Sequence, residues 1–103
     1  MHINSRPSID LIFAALAHPV RLEMVATLAT GEKCVCEIAG ALGRERSVVS
    51  RHLMILEQAG IVQSRSVGRM VIYHLRDKRA LNLIDIGIDM VKHPVKEKER
   101  QIK

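Results

Sequence analysis

The sequence predicts a mainly α fold carrying one β-hairpin, with about five helices and two strands. Three observations predict it. Hydrophobic residues are 48% of the 103-residue chain and aromatics only 2%, so the core must be aliphatic side chains and Met, which suit packed helices. Apolar residues recur at helical spacing through four segments before residue 60. Between Ile61 and Leu75 the period shifts toward alternation, as paired strands require. A chain of this length fits one domain with a modest core.

Residues 1–7 form a polar arm ending in Pro7. Ser8 can cap a first helix that runs through Leu11, Ile12, Phe13 and Leu16, with Asp10 in the first turn where the helix dipole favours an acid. His18-Pro19 breaks it, because the residue before proline avoids helical geometry. Pro19 then suits the first turn of a second helix, whose apolar set is Val20, Leu22, Val25, Leu28 and Ala29, up to Gly31. A short helix spans about Cys34 to Leu42, with Ile38 and Leu42 inward, and Gly43 supplies a tight turn. The next helix runs from about Arg46 to Ala59, with Val49, Leu53 and Leu56 inward and Gly60 as its stop.

This pair of helices around a glycine turn reads as a helix-turn-helix. Ile61–Arg65 and Met70–Leu75 read as strands around the tip Ser66-Val67-Gly68-Arg69. Asp77 can cap a last helix reaching about Lys92. That helix carries Leu81, Leu83, Ile84, Ile86, Ile88, Met90 and Val91 on more than one face. A helix apolar nearly all round is buried on two sides, and in so small a protein the second side is a second subunit. The domain plan is therefore an arm at 1–7, a helix-turn-helix and dimerisation domain at 8–95, and a charged tail at 96–103.

A helix-turn-helix followed by a basic hairpin is a winged helix-turn-helix. The net charge of +5 favours an anionic partner, with nucleic acid the common one. In this motif the second helix enters the major groove with its N-terminal residues toward the bases. Arg44, Arg46, Ser47, Ser50, Arg51 and His52 offer polar contacts there, and Val48 can touch a thymine methyl. Arg65 and Arg69 would carry positive charge on the wing. No run nears the roughly 20 apolar residues of a membrane span. No leader is read, and two cysteines make no disulfide framework, so the expected location is cytoplasmic.

The chain resembles the ArsR/SmtB winged-helix metalloregulators over about Ile9 to Pro94. Four stretches carry the resemblance: 14–22 (Ala-Ala-Leu-Ala-His-Pro-Val-Arg-Leu), 34–38 (Cys-Val-Cys-Glu-Ile), 50–62, from Ser50-Arg51-His52-Leu53 to Gly60-Ile61-Val62, and 68–75 (Gly-Arg-Met-Val-Ile-Tyr-His-Leu). The resemblance implies a homodimeric repressor on double-stranded operator DNA of imperfect inverted-repeat sequence, with ligand-induced release. It also implies a dimer interface of the first and last helices, here Ile9, Leu11 and Ile12 with Leu83, Ile84, Ile86, Ile88 and Val91. Arg46 stands where many members have glutamine, which bears on the operator sequence.

Cys34-Val35-Cys36 resembles the CVC element of members that sense As(III), Sb(III), Cd(II) or Pb(II). Soft ions choose thiolates because both partners are polarizable. Residues two apart on a helix point about 200° from each other. A shared ion is therefore expected to distort the start of the helix-turn-helix and misplace the reading helix. Ala39 stands where some relatives have a third cysteine. The third ligand is then a small thiol, a water, or His2 of a partner's arm. A trigonal As(III) or Sb(III) site needs less than tetrahedral zinc, which wants four ligands. A second zinc site found on the last helix of some relatives would fall at Asp77, Arg79, Met90 and His93, and Arg79 and Met90 exclude it. Redox or electrophile sensing by the two thiols is the alternative to ion sensing, and burial as small apolar residues is the inert one.

Two other classes compete. An enzyme would need a triad, a phosphate loop or a βαβ setting for the CxC pair, and none appears. An architectural DNA-binding protein would show little preference between operator and random DNA, whereas a repressor prefers its site by about a thousandfold or more.

Overall fold

The computed structural model describes residues 8–96. The arm at 1–7, with His2, and the tail beyond Lys96 lie outside the described residues. Eight elements follow in order: α1 (Ile9–Leu16), α2 (Pro19–Leu28), β1 (Lys33–Cys34), α3 (Val35–Leu42), α4 (Arg46–Gln58), β2 (Val62–Val67), β3 (Met70–Leu75) and α5 (Arg79–Lys92). The five helices are those expected, and so is a hairpin, but its first strand runs on through Ser66 and Val67, which pair with Val71 and Met70 and leave only Gly68-Arg69 as the turn. The sheet has three strands rather than two, in the order β1-β3-β2 and antiparallel throughout. The extra strand is only Lys33–Cys34, paired with Tyr73 and Ile72. Two residues are too few to show alternation, so only the finished sheet edge reveals them.

The junctions follow local chemistry. Pro19 opens α2, and His18 precedes it as N-cap, its Nδ1 accepting the Val20 N–H at 3.1 Å. Ser8 occupies the N-cap position of α1 without a side-chain cap bond. Gly43 closes α3 at φ 65, a left-handed conformation that costs glycine little and turns the chain into α4. Gly68 takes φ 61 at the hairpin tip while Arg69 stays negative, the pattern of a II′ turn. Asp77 precedes α5 rather than capping it at the first position; its Oδ1 still accepts the Arg79 N–H at 3.0 Å.

One aliphatic core joins α2, α3, α4 and the root of the sheet. Met24, Val25, Ile38, Val49, Leu53 and Leu56 are fully buried in it. Met24, not Ala29, completes the inner face of α2, since Ala29 lies exposed past the helix end. Leu42 is partly buried against the core.

The terminal helices look different. Ala80 is the only buried residue of α5. Leu81 and Ile84 of α5, with Ile12 of α1, are partly buried against the core. Leu83, Ile86, Ile88, Met90 and Val91 are exposed, as are Ile9, Leu11 and Phe13 on α1. A groove of 660 Å³ runs between the two helices, walled by Phe13, Leu16, Leu83, Ile84, Ile88 and Val91. So α5 is covered on one side only within a single chain, with Ile12 and Ile84 partly buried at the margin of that side.

Candidate nucleic-acid interface and thiol site

Val49, Leu53 and Leu56 anchor α4 in the core, so its other faces are free. Arg44, Arg46, Ser47 and Arg51 are exposed; Val48 and Ser50 are half-buried. These residues sit together on the leading end of α4, as a reading helix requires. Arg69 is exposed at the hairpin tip. Ser64 Oγ donates to Glu57 Oε2 at 2.9 Å, fastening β2 to α4.

Two expected contacts have partners inside the chain. Arg65 grips Glu32 with both terminal guanidinium nitrogens, the Nη2 bond at 2.9 Å. The pair ties the wing to the turn after α2, and the Arg65 bond holds the Glu32 carboxyl below its usual range. Arg65 stays half exposed in this pair. His52 is half-buried, its ring centroid 4.6 Å from that of His18. Arg21 Nη1 donates to His52 Nδ1 at 3.1 Å, and Arg21 Nε donates to the Ala15 carbonyl at 2.6 Å. Sequence reasoning missed Arg21, which bolts α4 to the end of α1. A partner 31 residues away leaves no local signal.

Burial lowers the His52 pKa from 6.5, and the charges of His18, Arg21, Arg44 and Arg51 push the same way. The folded state then binds this proton less readily than the unfolded chain. Stability should therefore fall as the pH drops through 6.5. Urea titrations from pH 8 to 5 should show that loss, and His52→Gln should flatten it.

The thiol site departs from expectation. Cys34 is not helical but the N-cap of α3, with extended backbone at φ −79 and ψ 164. Its side chain folds back over the first turn. The sulfurs of Cys34 and Cys36 are bonded to each other, with Cα atoms 5.3 Å apart. The divergence of 200° expected on a helix does not arise, because only Cys36 is on the helix. Cys34 is also part of a capping box: its Sγ accepts the Glu37 N–H at 3.3 Å, and Glu37 Oε1 accepts the Cys34 N–H at 2.9 Å. Cys34 is buried and Cys36 exposed. No third His, Cys, Asp or Glu joins them among the described residues. At the far end, Asp77 is engaged by Arg79 at 2.7 Å, which pushes its carboxyl down to about 2.

The three-stranded winged helix, an arginine-led reading helix and an uncovered apolar face on the terminal helices together define a winged-helix regulator. Residues 18–64 match the family described as bacterial regulatory protein, arsR family. The chain is 40% identical over 83 residues to the transcriptional repressor SmtB homolog of Synechocystis, covering 81% of this chain and 63% of that one. It is 33% identical over 84 residues to the cadmium resistance transcriptional regulatory protein CadC of Listeria innocua, covering 81% and 71%. A homodimeric winged helix-turn-helix DNA-binding domain from Mycobacterium bovis superimposes with TM-score 0.74 at 28% identity, covering 85% and 86%. The chain belongs to the ArsR/SmtB family, a family of regulatory proteins and not of enzymes. It spans about three fifths of the length of the first curated relatives it matches. No single helix among the described residues is long and apolar enough to cross a membrane.

Proposed function

We propose that the protein is a homodimeric DNA-binding repressor that releases an inverted-repeat operator when As(III) or Sb(III) binds the Cys34 and Cys36 thiolates. One observation carries it: the two sulfurs meet at the start of α3, the first helix of the helix-turn-helix. In the reduced chain the same approach offers two soft donors to one ion. Two protein thiolates and one small exogenous ligand suit a trigonal ion. Cd(II) and Pb(II) are the softer alternatives among divalent ions. Binding draws on the Cys34 sulfur that caps α3, so ion occupancy and the placement of α3 are coupled.

Arg44, Arg46, Ser47, Val48, Ser50 and Arg51 are assigned to the major groove and Arg69 to the wing contact. Arg46→Ala should cost about 1–3 kcal/mol on operator DNA and relax specificity, read by titration against operator and random duplexes. Equal losses on both would restrict Arg46 to phosphate. A cytoplasmic setting and the arm–domain–tail division at 1–7, 8–95 and 96–103 belong to the same reading.

The sulfur–sulfur bond favours a second reading, in which oxidation of the same pair is the signal. Fluorescence anisotropy on operator DNA separates the two. Reduced wild type should lose about 5–150-fold in affinity with As(III), while a Cys34→Ser/Cys36→Ser variant stays bound. An As(III)-blind wild type that responds to a disulfide oxidant would replace ion sensing by redox sensing. If neither reagent moves it, thiol control is wrong.

A further inference from the structure

A depression of 690 Å³ lies between α3 and the start of α4, lined by Cys36, Gly40, Gly43, Arg44, Arg46 and Ser47. Nothing stands within 4 Å of where a Cβ on Gly40 would be, so the floor is open. Two arginines, Arg44 and Arg46, and one carboxylate, Glu45, line it, a net positive balance. Glu45 is the N-cap residue of α4, yet its side chain makes no cap hydrogen bond. The first-turn amides of α4 add to the arginines in favouring an anion.

The two sulfurs beside this depression are chemically unequal. Cys34 is 5% exposed and its Sγ accepts the Glu37 N–H. Cys36 is exposed and lines the depression. An incoming thiolate therefore reaches Cys36. Its attack forms a new S–S bond to Cys36 and breaks the Cys34–Cys36 bond. The electron pair stays on Cys34, where the Glu37 amide and the α3 N-terminus stabilise a thiolate leaving group. The proton of the incoming thiol goes to solvent, and no further oxidant is consumed.

We propose that Cys36 is a thiolation site for an anionic low-molecular-weight thiol whose carboxylates seat against Arg44 and Arg46. The proposal rests on the dithiol reading of this site. It deepens it, because the same arginines are assigned to operator DNA. A seated thiol and a DNA phosphate then compete for them.

The test uses the full-length oxidised protein and two probe thiols, anionic glutathione and cationic cysteamine. Intact mass and peptide mapping follow the adduct. Glutathione should add once, at Cys36, about tenfold faster than cysteamine at equal thiolate concentration. Arg44→Gln/Arg46→Gln should abolish that preference. The glutathionylated protein should bind operator at least about tenfold more weakly than the oxidised protein. Adducts on Cys34, or a charge preference that survives the double substitution, overturn the thiolation site. A Cys36 adduct with undiminished operator affinity overturns the competition. Identical operator affinity of reduced and oxidised protein, with neither responding to As(III), defeats the dithiol reading itself; the adduct map and rates still decide the site.

Discussion

Ile86→Glu should convert the protein to monomers and collapse its preference for operator DNA. Ile86 is 59% exposed on α5, beside exposed Leu83, Met90 and Val91, and the exposed Ile9 and Phe13 of α1 extend the apolar surface. A run of apolar side chains this long on two adjacent helices is costly in water. Burying one such side chain contributes about 1.5–3 kcal/mol, and a dimer buries each twice. Glutamate reverses the sign, since a carboxylate without a partner is expensive to bury. The fold itself should survive, because Ile86 is not among the residues packed on the core. Sedimentation equilibrium at micromolar protein reads the mass, and anisotropy reads the DNA. Two half-sites on an inverted repeat need two reading helices held at fixed spacing. Losing one should reduce the operator-over-random ratio by about a thousandfold, toward the non-specific level. A variant that remains dimeric with full operator affinity would show that this face is not the interface.

Leu53→Ala should be strongly destabilising. Leu53 is fully buried between Val49 and Leu56 on the inner face. Truncation removes transfer energy and leaves a cavity, at a cost of about 2–5 kcal/mol. For a domain of about 100 residues that lowers the melting temperature by roughly 10–20 °C. Met54 is the neighbour on the outer face and is 54% exposed. Met54→Ala should change stability by no more than about 0.5 kcal/mol. Urea unfolding at one protein concentration measures both, since the stability of a dimer depends on concentration. Equal costs for the two would contradict the orientation of α4, and with it the face offered to DNA.

The helices and the hairpin were legible because their signals are local. Pro19, Gly43 and Gly68 punctuate the chain, and Val49, Leu53 and Leu56 repeat at helical spacing. What the sequence concealed was made of long-range pairings. Strand β1 exists only because Lys33 and Cys34 meet Tyr73 and Ile72. Glu32 meets Arg65, and Arg21 meets His52, across gaps of more than thirty residues. Those two pairings give Arg65 and His52, both expected at the DNA, a partner within the chain as well. The CVC element was visible, but its geometry was not. One residue of displacement, from helix to N-cap, separates sulfurs that diverge from sulfurs that touch.

The capping box places an unusual duty on one atom. Serine, aspartate or asparagine caps most helices, and a serine at position 34 would do so without redox chemistry. In the proposed function the receptor for the signal and the fastening of α3 share one sulfur, Cys34 Sγ, which accepts the Glu37 N–H. Under thiol control of DNA release, no relay lies between detection and response. Genetic screens for variants that detect the signal yet fail to respond would then find few targets along a path. They would converge on Glu37, whose amide and carboxylate form the other half of the fastening.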